Sequence, residues 1–227
     1  MIVKEKYFEI VDEVLSHNFL GKVAVDATIG KGNDTLKLLK VVGENGFVYG
    51  FDVQEDAIEK TRVLLKDFNN YKLFLESHEH IDKIGAADLI IYNLGFLPGS
   101  DKKITTLKES TIISLEKSTK ILNKGGIIIV VSYLGHENSF EERVAVDEFL
   151  KELDQRIFRV EKREFYNQKH NPPIVYLIEK RWKNENCNNW SRTCWHDVCY
   201  KGSRESWSIF IWKKWKTREK TFYNRQG

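Results

Sequence analysis

The stretch VAVDATIGKGNDT, residues 23–35, decides the fold of this 227-residue chain. Its apolar start, residues 23–27, predicts a buried strand, and Gly30 and Gly32 predict a tight turn before a helix at residues 35–42. A second apolar run, residues 47–53, has an acid near its end. The order strand, loop, helix, strand is the first unit of a parallel sheet.

The same alternation continues on both sides of this unit. Further strands are predicted at residues 72–76, 89–93, 127–133, 157–166 and 174–179, helices at residues 7–18, 55–67, 80–84, 108–122 and 140–153, and a turn at residues 123–126. The last two strands are joined by a short link that contains Pro172 and Pro173, so they form an antiparallel pair. We therefore expect an α/β, Rossmann-like class I methyltransferase fold with a seven-stranded, mostly parallel sheet that ends in an antiparallel hairpin.

Charge and composition change sharply near residue 181. Residues 1–180 hold 25 Lys and Arg against 29 Asp and Glu, whereas residues 181–227 hold 11 against 4. The acidic body lacks the basic face typical of nucleic-acid-binding proteins, so any RNA contact must come from a local patch. We predict a catalytic domain at residues 1–181 and an atypical tail at residues 182–227.

The tail contains every cysteine and tryptophan of the chain. A zinc knuckle could use Cys187, Cys194, His196 and Cys199, although their spacing is unusual. A basic, aromatic RNA-binding extension and a shifted reading frame are the other two hypotheses, and the last of these predicts disorder.

The start of the chain, with Lys4, Glu5 and Lys6, has no apolar run behind it, and no stretch of about 18 apolar residues is present. The absence of cysteine from residues 1–180 fits a reducing compartment. We expect a cytoplasmic protein without membrane contact.

The glycine turn has the features of a cofactor site. Asn33 and Asp34 follow Gly32 where a dinucleotide site would have a third glycine, and an acid there disfavours a diphosphate but suits the ammonium of a methionine moiety. Asp52, about 20 residues further on, can accept hydrogen bonds from both ribose hydroxyls. These features predict S-adenosylmethionine, although two glycines occur in many tight turns and Asp52 could instead be a helix N-cap.

Two histidines follow the third strand. Ser77 and His78 lie where an adenine would lie in this architecture, but they could equally be ordinary polar residues at a strand end, and His78 could also sense pH or bind a metal. His78 and His80 lack a further convincing ligand, so we predict no metal there.

The loop after the fourth strand predicts the acceptor site. Asn93 can accept a hydrogen bond from a substrate amine and so orient its lone pair. We expect Asn93, Asp101, Tyr133 and His136 to line the acceptor pocket, since they lie at or beyond strand ends. Leu94 to Ser100 could also be only a turn, and His136 could either accept a proton or simply form a hydrogen bond.

A local basic and aromatic patch could contact RNA. Its candidates are Lys102, Lys103, Arg159, Lys162, Arg163, Tyr166, Lys169 and His170. Charged residues on a terminal hairpin are often only solvated, so both interpretations stay open.

Several motifs resemble one bacterial family, first described as rRNA methylases and now understood as the methyltransferase that completes 5-methylaminomethyl-2-thiouridine at the tRNA wobble position. They are the turn with Asp26, Thr28, Gly30, Gly32, Asp34 and Thr35; Val42 to Gly46; Phe51 to Gln54; Asn93 to Lys102; and Asn167, Gln168 and Asn171 to Pro173. The resemblance covers roughly residues 1–181. Ser100 departs from it, since the family usually has a second glycine there.

The resemblance implies S-adenosylmethionine as donor, the anticodon arm of tRNA as substrate, and N-methylation of an aminomethyl group on the wobble uridine. The predicted cofactor-binding residues are Asp26, Thr28, Gly30, Gly32, Asn33, Asp34, Thr35, Asp52, Gln54, Ser77 and His78. The predicted RNA-binding residues are Lys102, Lys103, Arg163, Tyr166, Gln168, Lys169 and Asn171.

Other functions stay open. An rRNA methyltransferase or a small-molecule amine methyltransferase would use the same cofactor turn, and a catalytically silent adaptor would tolerate loss of Asp52 and Asn93. A homodimer is compatible with the sequence, and no obligatory protein partner is predicted.

Overall fold

The structure, a computed structural model, describes residues 4–16, 21–95, 106–134, 139–169 and 171–182. Its helices are α1 (Tyr7–Ser16), α2 (Asn33–Val42), α3 (Glu55–Leu64), α4 (Lys108–Ile121) and α5 (Ser139–Lys151), with a 3₁₀ helix at His78–Ile84. Its strands are β1 (Val23–Asp26), β2 (Phe47–Asp52), β3 (Tyr71–Leu75), β4 (Ala87–Leu94), β5 (Leu122–Ser132), β6 (Phe158–Arg163) and β7 (Ile174–Lys180).

These strands form one seven-stranded sheet in the order β3-β2-β1-β4-β5-β7-β6. The strands β1 to β5 pair in parallel, and β7 pairs antiparallel with both β5 and β6. The predicted fold class and terminal hairpin are therefore confirmed. Because Ser132 pairs with Ile174 and Arg163 pairs with Val175, the connection between β6 and β7 lies at the carboxyl edge of the parallel strands.

Alternation along the strands divides the core into two faces. In β4, Leu89 and Ile91 belong to the apolar cluster covered by α1 and α2, whereas Ile90 and Tyr92 belong to the cluster covered by α4 and α5. Successive side chains of a strand point to opposite faces, so a strand buried on both sides is apolar throughout.

Several predicted boundaries are wrong, among them the end of the helix predicted at residues 55–67, which stops at Leu64. Residues 123–126 lie inside β5 rather than in a turn, because Leu122 already pairs with Ala87 and the register shifts between Ala87 and Leu89. Gly125, at φ 76°, allows this bulge. The 3₁₀ helix begins at His78 because Ser77 Oγ accepts a hydrogen bond from the Glu79 N–H, and β6 ends at Arg163 instead of residue 166.

No helix in the described part of the chain is long and apolar enough to cross a membrane. The chain divides into two units, Met1–Lys183 and Asn184–Gly227. The second unit, with the hypothetical zinc knuckle, lies outside the described residues, and the domain boundary at residue 181 stays a prediction.

Candidate functional site

The carboxyl ends of three neighbouring strands bring the predicted site residues together. Asp26 ends β1, Asp52 ends β2, and Asn93 lies at the end of β4, and β1 pairs with both of the other strands. Adjacent strands are about 4.8 Å apart, so these side chains share one edge of the sheet. This is the edge at which open α/β sheets bind ligands.

Asp52 holds the glycine turn in place. Its Oδ2 accepts the N–H of Gly30 at 2.8 Å, and its Oδ1 accepts the N–H of Gln54 at 2.9 Å. Burial raises the pKa of this carboxyl, although the backbone hydrogen bonds oppose that shift. The N-cap of α3 is Gln54, so the alternative role of Asp52 as that cap is excluded.

Position 32 requires a glycine, both for its backbone conformation and because there is no room for a Cβ atom. Gly32 has φ 75°, and a Cβ added there would lie 2.6 Å from Thr61 Oγ1, on a fully buried and branched side chain. The turn therefore packs directly on α3 at Gly32.

We expect Gly32→Ala to lower the free energy of unfolding by about 3 kcal/mol, because it combines an unfavourable φ with an overpacked contact. Gly32→Ala in a Thr61→Ala background is the matched control, because the second change removes the Oγ1 and Cγ2 atoms that an added Cβ would meet. In that background Gly32→Ala should cost only about 1 kcal/mol, the cost of a positive φ alone. Urea unfolding of the single and double variants measures the difference, and an equal cost of Gly32→Ala in both backgrounds would contradict a steric role for Gly32.

Asp26 and Thr35 lie behind the turn and are fully buried. Asp26 Oδ2 accepts the Thr35 hydroxyl at 2.6 Å, and Oδ1 accepts the Thr28 N–H at 3.1 Å. Burial, followed by the nearby carboxylate of Asp34, raises the pKa of Asp26 to about 7. Both residues thus shape the cofactor turn from inside.

The raised pKa gives stability a definite pH dependence. In the folded protein Asp26 keeps its proton up to about pH 7, whereas in the unfolded chain it loses that proton near pH 4. Its contribution to the free energy of unfolding therefore falls as pH rises from about 4 to 7 and stays low above pH 7. Asp26→Asn should remove this contribution, whereas Asp56→Asn on the exposed surface of α3 should keep it. The difference in unfolding free energy between the original protein and Asp26→Asn should change by about 2 to 3 kcal/mol between about pH 5 and pH 8, measured by urea titration. A constant difference would contradict the assignment.

Asn93 is locked by the cofactor turn. Its backbone N–H donates to Thr28 Oγ1 at 2.7 Å, and its side-chain Nδ2 donates to Asp34 Oδ2 at 2.7 Å. An ionised carboxylate only accepts hydrogen bonds, so the amide nitrogen must face Asp34 and the carbonyl Oδ1 must point elsewhere. Among the described residues, Oδ1 has no protein partner, which leaves it available to a substrate N–H.

A pocket of about 240 Å³ adjoins this pair. It is lined by Tyr7, Phe8, Val11, Asn33, Asp34, Lys37, Ile91 and Asn93. The contribution of α1 was missed from the sequence, because apolar spacing marks a buried face without saying which strand ends it covers. Lys37 lies 3.7 Å from Asp34 and 2.9 Å from Asp12, so it links α1 to α2.

Tyr133 lies beside this pocket. Its ring packs edge-on against Tyr7 with 5.4 Å between centroids, and its N–H donates to Leu94 O at 3.3 Å. Burial, reinforced by the neighbouring Tyr7, raises the pKa of Tyr133 well above its usual value. Tyr133 therefore keeps its proton and can only act as a neutral hydroxyl. The other two predicted acceptor residues, Asp101 and His136, lie outside the described residues.

His78 is a buried, neutral side chain. It is 7% exposed, and burial lowers its pKa to about 4. Its ring meets Tyr92 edge-on, and Nδ1 has no hydrogen-bond partner in the part of the chain that the structure describes. A pH-sensing role near neutrality is thus excluded. Within the described ranges no group of three His, Cys, Asp or Glu side chains could hold a metal.

The described RNA candidates lie on or beyond the end of β6. Tyr166 is 98% exposed, and Lys169 and Asn171 are also exposed. Arg163 is engaged with Glu13 at 3.3 Å and Glu161 at 2.8 Å, and Gln168 Nε2 donates to the carbonyl of Glu5 at 3.0 Å. Lys102, Lys103 and His170 lie outside the described residues.

Two further cations of the hairpin are also paired. Lys162 contacts Asp147 at 3.3 Å, and Arg159 contacts Glu179 at 3.8 Å. Arg159, Lys162 and Gln168 are exposed too, but their polar groups are engaged within the protein. Tyr166, Lys169 and Asn171 are exposed without such a contact among the described residues.

The chain is similar to one protein family and to several known proteins. Residues 48–179 match the family model described as "Putative rRNA methylase". A protein of Arabidopsis thaliana named "tRNA (mnm(5)s(2)U34)-methyltransferase, chloroplastic" is 35% identical over 175 residues, which are 70% of this chain and 64% of that protein.

Two crystal structures share both fold and sequence with the chain. A Clostridium thermocellum protein described in the same words as the family has a TM-score of 0.74 and 41% identity, over 79% of this chain and 100% of that one. A Streptococcus mutans protein described as "a putative methyltransferase", solved in complex with SAH, has a TM-score of 0.71 and 35% identity, over 78% of this chain and 99% of that one.

Proposed function

Because the chain belongs to this rRNA methylase family, whose model matches more than half of its residues, we propose that it is a tRNA-modifying methyltransferase that uses S-adenosylmethionine. Its reaction is N-methylation of the aminomethyl group of 5-aminomethyl-(2-thio)uridine at the wobble position, giving 5-methylaminomethyl-(2-thio)uridine. The name of the Arabidopsis relative supports this substrate. The observation that carries the proposal is the locked amide of Asn93 beside the glycine turn.

The residues at the sheet edge fit S-adenosylmethionine. The Gly32 backbone leaves no room for a Cβ on its protein side, Asp52 lies at the end of β2 where it can receive ribose hydroxyls, and Asp34 can pair with an ammonium. The orphaned Nδ1 of His78, next to Ser77, fits a hydrogen bond to an adenine. When bound, the cofactor supplies an electrophilic methyl group on its sulfonium.

Asn93 orients the acceptor. Its Oδ1 accepts one N–H of the neutral amine, which directs the nitrogen lone pair towards the methyl carbon. Held by the glycine turn, Asp34 and Asp52, S-adenosylmethionine would supply its sulfonium methyl group to this nitrogen, and the resulting ammonium would release a proton to water. Positioning of two reactants is the main requirement, so no strong base is needed. Asp101 and His136 stay proposed members of this pocket.

The hairpin connection supplies the RNA contact. It lies at the same sheet edge as Asn93, about two strand spacings from β4, which is roughly 10 Å. Exposed Tyr166 can stack on an unpaired base of the anticodon loop, and Lys169 can approach its phosphates. Cytoplasmic location and a homodimer stay expectations; the Arabidopsis relative is named chloroplastic.

The test is transfer of labelled methyl groups to tRNA that lacks this modification, followed by nucleoside analysis. Label in 5-methylaminomethyl-(2-thio)uridine supports donor, substrate and reaction together. Parallel reactions with rRNA and with small primary amines separate the alternatives. Cofactor binding without any label in tRNA would overturn the proposed substrate, and label in the rRNA or small-amine reaction would name the replacement.

A further inference from the structure

Glu142 is a buried carboxylate far in sequence from the turn that binds the cofactor. It lies in the first turn of α5 and is 2% exposed. Its Oε1 accepts the hydroxyl of Thr111 on α4 at 2.7 Å, and its Oε2 accepts the hydroxyl of Thr106 at 2.9 Å. Burying a carboxylate is costly unless it is well hydrogen-bonded, so these contacts are strongly favoured.

Thr106 connects this carboxylate to the acceptor loop. Its Oγ1 accepts the N–H of Gly95 at 3.1 Å, and its own N–H donates to the carbonyl of Gly95 at 3.4 Å. Gly95 follows Asn93 by two residues. The two ends of the segment between residues 95 and 106, which contains Asp101, are thus joined to each other and tied to Glu142.

The next residue of α5 holds the neighbouring strand. Arg143 Nη2 donates to the carbonyl of Ser132 at 2.7 Å, and Nε lies 3.4 Å from its hydroxyl. Ser132 directly precedes Tyr133. The first turn of α5 therefore fixes the ends of both β4 and β5, which carry the two described acceptor residues.

We propose that Glu142 is a positioning residue for the methyl-acceptor site, acting through Thr106 and Gly95 on Asn93. The expected loss of turnover on tRNA rests on the proposed function, whereas the structural effect of Glu142 on the β4 end does not. Loss of the Thr106 contact leaves the N–H of Gly95 with a weaker or missing acceptor and loosens the strand end that carries Asn93. The cofactor turn between β1 and α2 meets this network at Asn93, whose N–H donates to Thr28 Oγ1, and not at Thr106 or Gly95 among the described contacts.

The experiment compares Glu142→Gln with Glu141→Gln, an exposed neighbour on the same helix turn, and Thr106→Val with Thr106→Ser, which keeps the hydroxyl. Turnover on tRNA should fall about 10-fold in Glu142→Gln and Thr106→Val. It should stay within about twofold in the two controls, and the affinity for S-adenosylhomocysteine should stay within about twofold in all four. Unchanged turnover in Glu142→Gln and Thr106→Val, or a parallel loss of cofactor affinity, overturns the proposal.

Amide hydrogen exchange separates this proposal from the proposed function. Exchange in the peptide that spans residues 93–95 should rise about 10-fold in Glu142→Gln and remain unchanged in Glu141→Gln, whether or not tRNA is the substrate. A native protein inactive on tRNA that shows this exchange pattern overturns the function and supports the positioning role. Equal exchange in the two variants overturns the positioning role even if tRNA is methylated.

Discussion

Replacement of Asp52 by alanine is expected to weaken the binding of S-adenosylmethionine by about 100-fold or more. The carboxylate accepts the N–H groups of Gly30 and Gln54, and in the proposed complex it also receives the ribose hydroxyls. Hydrogen bonds to a charged group contribute about 1.5 to 3 kcal/mol each, and 2.7 kcal/mol is a factor of about 100 in affinity. Titration calorimetry with S-adenosylhomocysteine measures the effect directly.

Two variants make this test specific. Asp52→Asn keeps one acceptor oxygen, so its affinity for S-adenosylhomocysteine should lie between that of Asp52→Ala and that of the original protein. Asp56→Ala, on the exposed side of α3 where Asp56 pairs with Lys60, should bind the cofactor normally. An Asp52→Ala protein that retains both its fold and its affinity for S-adenosylhomocysteine would contradict the assignment of Asp52 to the ribose hydroxyls.

The glycine turn was predictable because its signals are local. Gly30 and Gly32 are required by backbone conformation within a few residues, and Asp52 follows a strand that pairs directly with β1. Strand ends were predictable for a related reason, because parallel strands joined by helices place all their carboxyl ends at one edge. Fold, cofactor turn and the position of Asn93 therefore followed from short-range patterns.

The tertiary contacts of these residues could not be predicted from the sequence in the same way. Asn93 and Asp34 are 59 residues apart, and nothing in either neighbourhood indicates that one amide donates to the other. Glu142 appears in the sequence as an ordinary helical acid next to Glu141, and only its packing between α4 and the β4 end distinguishes the two. Tyr7 and Phe8 enter the pocket for the same tertiary reason.

In the basic patch, by contrast, the sequence suggests RNA contacts for cations that the fold pairs with acids. Arg163 is a candidate for phosphate contact by charge alone, yet it pairs with Glu13 from α1, 150 residues away. Tyr166, three residues further along the chain, is 98% exposed and has no such contact with the described residues. Charge in a sequence therefore overstates the cationic surface, and ion pairs across the fold decide which cations remain for RNA.

Replacement of Asn93 by alanine is expected to lower turnover on tRNA by about 100-fold while S-adenosylmethionine still binds. The amide orients the acceptor nitrogen, and a misplacement of about 1 Å between reactants can cost a factor of that size. Asn93→Ala keeps the backbone hydrogen bond to Thr28 and loses only the side-chain bond to Asp34. Among the described residues Asn93 forms no hydrogen bond with Gly30 or Asp52, so cofactor affinity should fall by less than about threefold. Single-turnover kinetics and calorimetry on the same variant measure the two effects separately.

The orientation of the amide provides the sharper version of this test. Asn93→Asp places a second carboxylate against Asp34, where two like charges repel strongly, so it should not restore turnover at neutral pH. Asn123→Ala is the control, because Asn123 lies exposed near the start of β5 and pairs with Asp88 at the opposite edge.

Normal turnover in Asn93→Ala would mean that the acceptor is oriented by Tyr133 or by the segment between residues 95 and 106. A joint loss of turnover and cofactor affinity would instead assign Asn93 to the cofactor site, since an acceptor residue changes the reaction of the bound cofactor rather than its binding.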